Sequence, residues 1–164
     1  DLAIVQDYAA QNRLAILETL SKSMKWKPAG IFSCPHNYIA REGEKLLLRK
    51  GAVSAKKGER LLIPANMRDG VLLAVGKGNP DWNNSAPHGS GRLLRRTDVA
   101  KKYTLSQFKA QMKGIHCTCI SKDTLEEAPF AYRDLEAIAS QIGETAEIQK
   151  ILIPVYNYRP NISY

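Results

Sequence analysis

Apolar residues recur at Leu2, Val5, Tyr8, Ala9, Ile16, Leu20 and Met24, one face of a long amphipathic helix over residues 2–24. Lys25 to Pro28 break that period, and residues 29–34 then read as a short strand whose end delivers Pro35, His36 and Asn37 to a loop. Residues 45–49 predict a second strand, closed by Arg49, Lys50 and Gly51. KKGER at 56–60 reads as a solvated turn, while 61–63 and 71–75 are apolar enough for buried strands, joined through 66–70. Residues 93–103 fit a helix. The clearest local helix follows at 104–114: Thr104 can cap it, Gln107 completes a capping box, Leu105, Phe108 and Met112 are apolar, and Gly114 ends it. Residues 115–120 predict a strand. Asp123 or Thr124 starts a further helix with Glu126 and Glu127 near its positive end. A longer helical piece at 132–142 presents Leu135, Ile138 and Ile142, and 148–158 closes as a strand. Interleaved helices and strands in 164 residues, without a repeat, low-complexity tract or internal linker, predict a single compact α+β (mixed α/β) domain.

One stretch follows neither period. In GKGNPDWNNSAPHGSGRLLRRT, residues 76–97, Asn83, Asn84, Ser85, Pro87 and the paired glycines disfavour regular structure, so His88 belongs on a tight loop whose backbone can approach a ligand closely. Arg92, Arg95, Arg96, Lys101 and Lys102 follow. A titratable imidazole, a glycine turn that exposes amides and an arginine fork suit a nucleotide or phosphate better than an apolar ligand. A neutral imidazole nitrogen can also attack phosphorus, giving a phosphoramidate where a cation neutralises the phosphate. The rival is a turn histidine without chemistry; the glycines on both sides of Ser90, and Arg92 and Arg96 four residues apart, argue against it.

Charge extends the picture. With 24 Lys plus Arg against 16 Asp plus Glu, the net charge of +8 favours anionic partners, nucleic acid first, although the lysines at 22–27, 56–57 and 101–102 also suit solvated faces. Three cysteines without a disulfide-scaffold spacing point to a reducing cytoplasm, and apolar runs such as 71–75 are far too short to cross a bilayer. A start at Asp1 that runs straight into a helical pattern is what a segment of something longer would give. His36 beside Cys34 suggests a metal site, but two residues do not make one, and a histidine satisfied by backbone is the better reading. His116, Cys117 and Cys119 fall on an expected strand where the cysteines share a face, which favours core packing.

CPHNYIARE, LLLRKGA, GKGNPDWNNSAPHGSGR with its trailing arginines, LEEAPFAY and the ending PVYNYR, in that order, resemble the carboxyl-terminal half of the RtcB family. These are RNA-splicing ligases that join RNA ends with GTP and manganese. The likeness covers nearly the whole chain, so residues 1–164 are expected to be the carboxyl-terminal portion of an RtcB-like ligase whose upstream half lies elsewhere. The resemblance implies that His88 is the catalytic nucleophile, attacking the α-phosphorus of GTP to form a histidine-GMP intermediate and release pyrophosphate. It implies His36 as one manganese ligand, Asn66, Gly89, Ser90, Gly91, Tyr132 and Arg159 around the nucleotide, and Arg49, Lys50, Arg92 and Arg96 as the cations that hold nucleotide or RNA phosphates. GMP then passes to an RNA 3′-phosphate (or 2′,3′-cyclic phosphate), and the 5′-hydroxyl of a second RNA displaces it. The implied partners are GTP and RNA, as tRNA halves or broken RNA ends, without a membrane. A neutral His88 is required for attack, so activity falls in acid.

The departures matter as much. Ser90 replaces the alanine of the usual HGAGR; Ala65, Asn66, Met67 and Arg68 stand where the family has a glycine-serine-methionine-glycine turn; Arg159 replaces a lysine at guanine and Arg95 a serine. Arginine donates in a fixed plane whereas lysine is a point charge. The family's other metal ligands, an aspartate, a cysteine and two histidines, lie upstream, so the isolated chain is expected to lack full ligase activity. Two other readings are a basic RNA-binding module that keeps the scaffold without catalysis, and a phosphohistidine phosphotransferase that would label from the γ-phosphate.

Overall fold

The computed structural model describes residues 1–158, and Arg159 lies outside the described residues. The chain opens with helix α1 (Leu2–Met24), closed by Lys25 in the left-handed region at φ 55°. An irregular segment leads to the hairpin of β1 (Asn37–Glu42) and β2 (Lys45–Lys50), paired antiparallel from Asn37↔Lys50 to Glu42↔Lys45. The strand expected at 29–34 does not form. Pro28 and Pro35 lack amide donors at either end of it, and pairing starts only at Asn37.

Next come β3 (Ala52–Ser54), β4 (Arg60–Pro64) and β5 (Val71–Gly76), then a single 3-10 turn at Pro80–Trp82 and β6 (Ser85–Pro87). Strand β3 pairs antiparallel with β6, and β5 sits between β4 and the late strand β8 (Ala146–Leu152). Strand β5 alternates, burying Leu72 and Ala74 against Leu61 and Ile63 of β4, with Val53, Ala55, Ala86, Ile138 and Ile142 completing this core. Each buried Val, Leu or Ile of this core contributes about 1.5–3 kcal/mol on burial.

A second core is helical. Here α2 (Arg96–Lys102) supplies Val99, and α3 (Leu105–Gln111), with its turn at Met112, supplies Phe108 and Met112, packed on Leu125, Ala128 and Ala131. The expected capping box forms: the Thr104 hydroxyl accepts from Gln107 N at 3.3 Å and the Gln107 side chain accepts from Thr104 N at 2.8 Å. Other elements are shorter than their periodicity suggests. The strand expected at 115–120 shrinks to β7 (His116–Cys117); the helix expected from 123 is a 3-10 turn, Leu125–Glu127, ended before Pro129. The helix expected over 132–142 is only α4 (Leu135–Ala139), capped by Asp134 accepting from Ala137 N at 2.8 Å. Pro154 lies between β8 and the short strand β9 (Tyr156–Asn157), which pairs in parallel with β7.

The helix over 2–24 forms as expected, but its apolar face is not buried. Leu2, Val5, Tyr8, Ile16, Leu20 and Met24 are exposed, and α1 is tied down instead by Gln6, which accepts from Ile39 N at 2.7 Å. No helix among the described residues is long and apolar enough to cross a membrane.

Candidate nucleotide and phosphate site

His88 follows β6 directly, where the chain leaves the first core and crosses to the second. Its Nδ1 lies 2.7 Å from the Gly51 carbonyl, which can only accept. Nδ1 therefore carries the proton and Nε2 keeps its lone pair. This contact depends on Gly51, whose φ of 67° favours glycine and where a Cβ would meet the imidazole at 3.4 Å. Gly51 is fixed in turn, its N–H donating to the His36 carbonyl at 2.8 Å and to Asn37 Oδ1 at 3.0 Å. His36 and His88 stack with ring centroids 4.9 Å apart and planes 14° from parallel. The two histidines, 52 positions apart in sequence, thus share one spot because Gly51 joins their loops.

Beyond His88 the glycine turn lies against the end of β4. A Cβ on Gly89 would stand 3.0 Å from the Pro64 carbonyl, so any other residue would push the loop or β4 back by a few tenths of an ångström. Ser90 is buried; its N–H donates to Pro64 O at 3.1 Å and its hydroxyl to Ala65 O at 2.8 Å. The extra oxygen relative to an alanine is thus satisfied inside the loop. Asn66 spends its side chain similarly: Oδ1 accepts from Arg68 N and Asp69 N, each at 2.9 Å, and Nδ2 donates to Asp69 at 2.8 Å. Arg68 is held by Asp69 and Gln111. Asn66 builds the turn while also lining the cavity.

That cavity, about 730 Å³, is lined by His88, Gly89, Ser90, Gly91, Arg92 and Arg96 together with Tyr132, Glu127, Thr124 and Asn157. It is large enough for a nucleotide. Arg92 does not lie on a helix with Arg96, since α2 starts only at Arg96; it forms an isolated bridge with Tyr132, and both arginines converge on the Glu126–Glu127 turn. Arg92 donates to Tyr132 Oη at 2.9 Å and lies over its ring at 4.9 Å, while the Tyr132 hydroxyl donates to Glu127. Burial, then the hydrogen bond to Glu127, pushes the Tyr132 phenol up to about 12, so it remains a donor. For Glu127, burial works against ionisation, yet the hydrogen bonds from Tyr132 and Arg96 outweigh it and hold the carboxyl below its usual value. Glu127, Thr124 and Asn157 were missed as cavity residues in the sequence; the LEEAPFAY string marks the first but says nothing of its partners.

Two expected phosphate cations part ways. Lys50 is exposed beside Gly51. Arg49 is 2% exposed, and its guanidinium donates to Ser85 Oγ at 3.0 Å, Tyr38 Oη at 3.2 Å and Glu42 Oε1 at 3.1 Å. It locks the first hairpin to β6 rather than facing solvent.

A family model described as "tRNA-splicing ligase RtcB" matches residues 1–160. The chain belongs to the RtcB family. It is 27% identical to an Escherichia coli "RNA-splicing ligase RtcB" over 151 residues, which covers 87% of this chain and 37% of that protein. An "RNA-splicing ligase RtcB1" from a second Escherichia coli strain is 29% identical over 163 residues, 90% of this chain and 40% of the relative. A "tRNA-splicing ligase RtcB" of Aeropyrum pernix is 32% identical over 100 residues, 58% of this chain and 20% of the relative. This RtcB-family chain thus spans about two fifths of the length of its two longest matches.

No group of three or more His, Cys, Asp or Glu side chains stands together among the described residues. Cys34, two positions from His36, directs its thiol to the Arg60 carbonyl at 3.7 Å, and burial pushes that thiol up. The side chains around His36 therefore do not fit a complete manganese site among the described residues. Burial, then the charges of His88 and Arg13, push the His36 imidazole below its ordinary 6.5. It consequently stays neutral further into acid than a free imidazole. By NMR, the His36 Cε1 proton is expected to titrate below 6.5, and His88→Ala, which removes both the cover and the charge, is expected to raise that midpoint.

Proposed function

We propose that this chain supplies the nucleophile and nucleotide-gripping side of a GTP- and manganese-dependent RNA ligase that joins an RNA 3′-phosphate to a 5′-hydroxyl. The observation that carries the reading is the Nδ1 contact of His88 with the Gly51 carbonyl, which leaves Nε2 as the nitrogen available for attack in a residue that lines the same cavity as Arg92 and Arg96. Nε2 attacks the α-phosphorus of GTP, the N–P bond forms, the bond to the β-phosphate oxygen breaks, and pyrophosphate leaves. Arg92 and Arg96 are paired with Glu126 and Glu127, so an incoming phosphate would have to compete with these carboxylates for the arginine donors. GMP then moves to the RNA 3′-phosphate and is displaced by the second RNA's 5′-hydroxyl. The chain's excess of cations suits two polyanionic ends. The remaining metal ligands would come from sequence matching the other three fifths of the relatives, and the full reaction belongs to a protein of their length.

The test is labelling of such a family-length protein carrying these residues, with GTP labelled at either the α- or the γ-phosphate. Acid-labile, hydroxide-stable label on the His88 peptide is expected from the α-position only. Label from the γ-position would instead make the chain a phosphohistidine phosphotransferase. The inward-turned side chains of Ser90 and Asn66 favour a second reading, a basic RNA-binding scaffold without catalysis; RNA binding with no label from either position would establish it.

A further inference from the structure

Cys117 and Cys119 lie on either side of Thr118 with their sulfurs 3.2 Å apart, and both are thiols. Backbone contacts set this proximity. Cys117 is held in β7, in register with Asn157, and Thr118 N–H donates to the Asn157 carbonyl at 3.3 Å. The Cys119 carbonyl accepts the hydroxyl of buried Thr124. The sulfurs need to approach from 3.2 Å to about 2.05 Å to bond. Cys117 is half-buried and open to a small oxidant, whereas Cys119 is 5% exposed and lines the cavity that contains His88 and Tyr132. We infer that Cys117 and Cys119 form a reversible disulfide modification site, with Cys117 the attacking and Cys119 the resolving thiol, in the wall of the nucleotide cavity.

With hydrogen peroxide as oxidant the chemistry balances. The Cys117 thiolate attacks one peroxide oxygen, an S–O bond forms as the O–O bond breaks, and hydroxide leaves to take up the proton as water. The Cys119 sulfur then attacks the Cys117 sulfenic acid, the S–S bond forms, and the S–O bond breaks to release a second water with the Cys119 proton. Two thiols are oxidised and one peroxide is reduced. Because β7 holds Asn157 and the Cys119 carbonyl holds Thr124, both cavity residues, the new bond pulls two parts of one wall together. This consequence rests on the nucleotide reading above; the disulfide itself does not.

The test treats the reduced full chain with hydrogen peroxide, blocks remaining thiols with N-ethylmaleimide and maps peptides by mass. The peptide holding Cys117 and Cys119 is expected to lose two hydrogens and take no maleimide, to regain both sites after dithiothreitol, and to leave Cys34 alkylatable. Cys119→Ser should halt at a sulfenic acid on Cys117 that dimedone traps, and Cys117→Ser should leave Cys119 a thiol. Both cysteines still alkylated, Cys117 driven to sulfinic acid in the unsubstituted chain, or a disulfide to Cys34 or between chains would overturn the assignment. The oxidised chain should bind GMP about fivefold or more weakly than the reduced chain, with no such change in Cys117→Ser. An intact disulfide with unchanged GMP affinity would overturn the coupling to the cavity. Absence of GMP binding in either form would count against the nucleotide reading and leave the dithiol to be decided by mass.

Discussion

Replacing His88 by alanine in a family-length protein is expected to reduce covalent GMP capture from GTP by about 10³-fold or more, because His88 is the one imidazole among the described residues that line the cavity. The fold is expected to survive. The imidazole is only half-buried and its side chain makes one hydrogen bond, to the Gly51 carbonyl, so its loss costs about 1 kcal/mol. His88→Gln sharpens the comparison, since an amide nitrogen can still reach the Gly51 carbonyl but carries no nucleophilic lone pair. Labelling should vanish in both variants while RNA binding stays close to normal. Retained labelling in either one would remove His88 from the chemistry. Acid should act in the same direction, since a protonated Nε2 has no lone pair to give.

The capping box at Thr104 and the strands Arg60–Pro64 and Val71–Gly76 were legible in sequence because each is decided by neighbours a few residues away. So was the loop at His88 itself, although Ser85 and Pro87, whose residue types disfavour regular structure, pair as β6 just before it. What periodicity could not convey was length. Pro129 and Pro154 cut elements whose apolar spacing ran on, and β7 stops after two residues because its partner β9 is equally short. Nor does the face of α1 announce whether anything covers it; Leu2 and Ile16 look like core residues and are exposed. The site divided along similar lines. The likeness to known motifs marked His88 and Tyr132, but not that Tyr132 donates to Glu127, that the Gly51 carbonyl holds Nδ1 of His88, or that Thr124 and Asn157 line the cavity. The Gly51–His88 contact spans 37 residues, beyond any local window, whereas Tyr132 and Glu127 are only 5 apart and meet because the chain turns at Pro129–Ala131 between them.

Arg49 and Lys50 are adjacent cations with opposite expected behaviour, and substituting them separately tests the placement of the site. Arg49→Met keeps most of the side-chain volume but removes the donors facing Ser85, Tyr38, Glu42 and the Asn83 carbonyl, within a pocket where Arg49 is 2% exposed. Its hydrogen bond also holds the Glu42 carboxyl below the usual carboxylate range, and Lys56 at 3.2 Å is the one cation left to Glu42. Breaking such a partly enclosed pair is expected to cost about 3 kcal/mol. For a chain of this size that lowers Tm by roughly 6–12 °C. The Glu42 contribution carries its own sign: a carboxyl depressed in the folded state stabilises above its unfolded pKa and loses that contribution as pH falls. The gap between Arg49→Met and the unsubstituted chain should therefore narrow in acid. Lys50→Ala, on the exposed end of the same strand, should leave Tm within about 1 °C and lower RNA affinity, with the salt dependence of binding shallower by about one unit of slope. A stable Arg49→Met that instead lost RNA affinity would turn the latch into a phosphate contact and move the RNA path to the cavity lined by Leu47, Arg49 and Trp82. Loss of stability without a change in salt slope would keep the RNA path on the Lys50 side, next to the nitrogen that Gly51 leaves free.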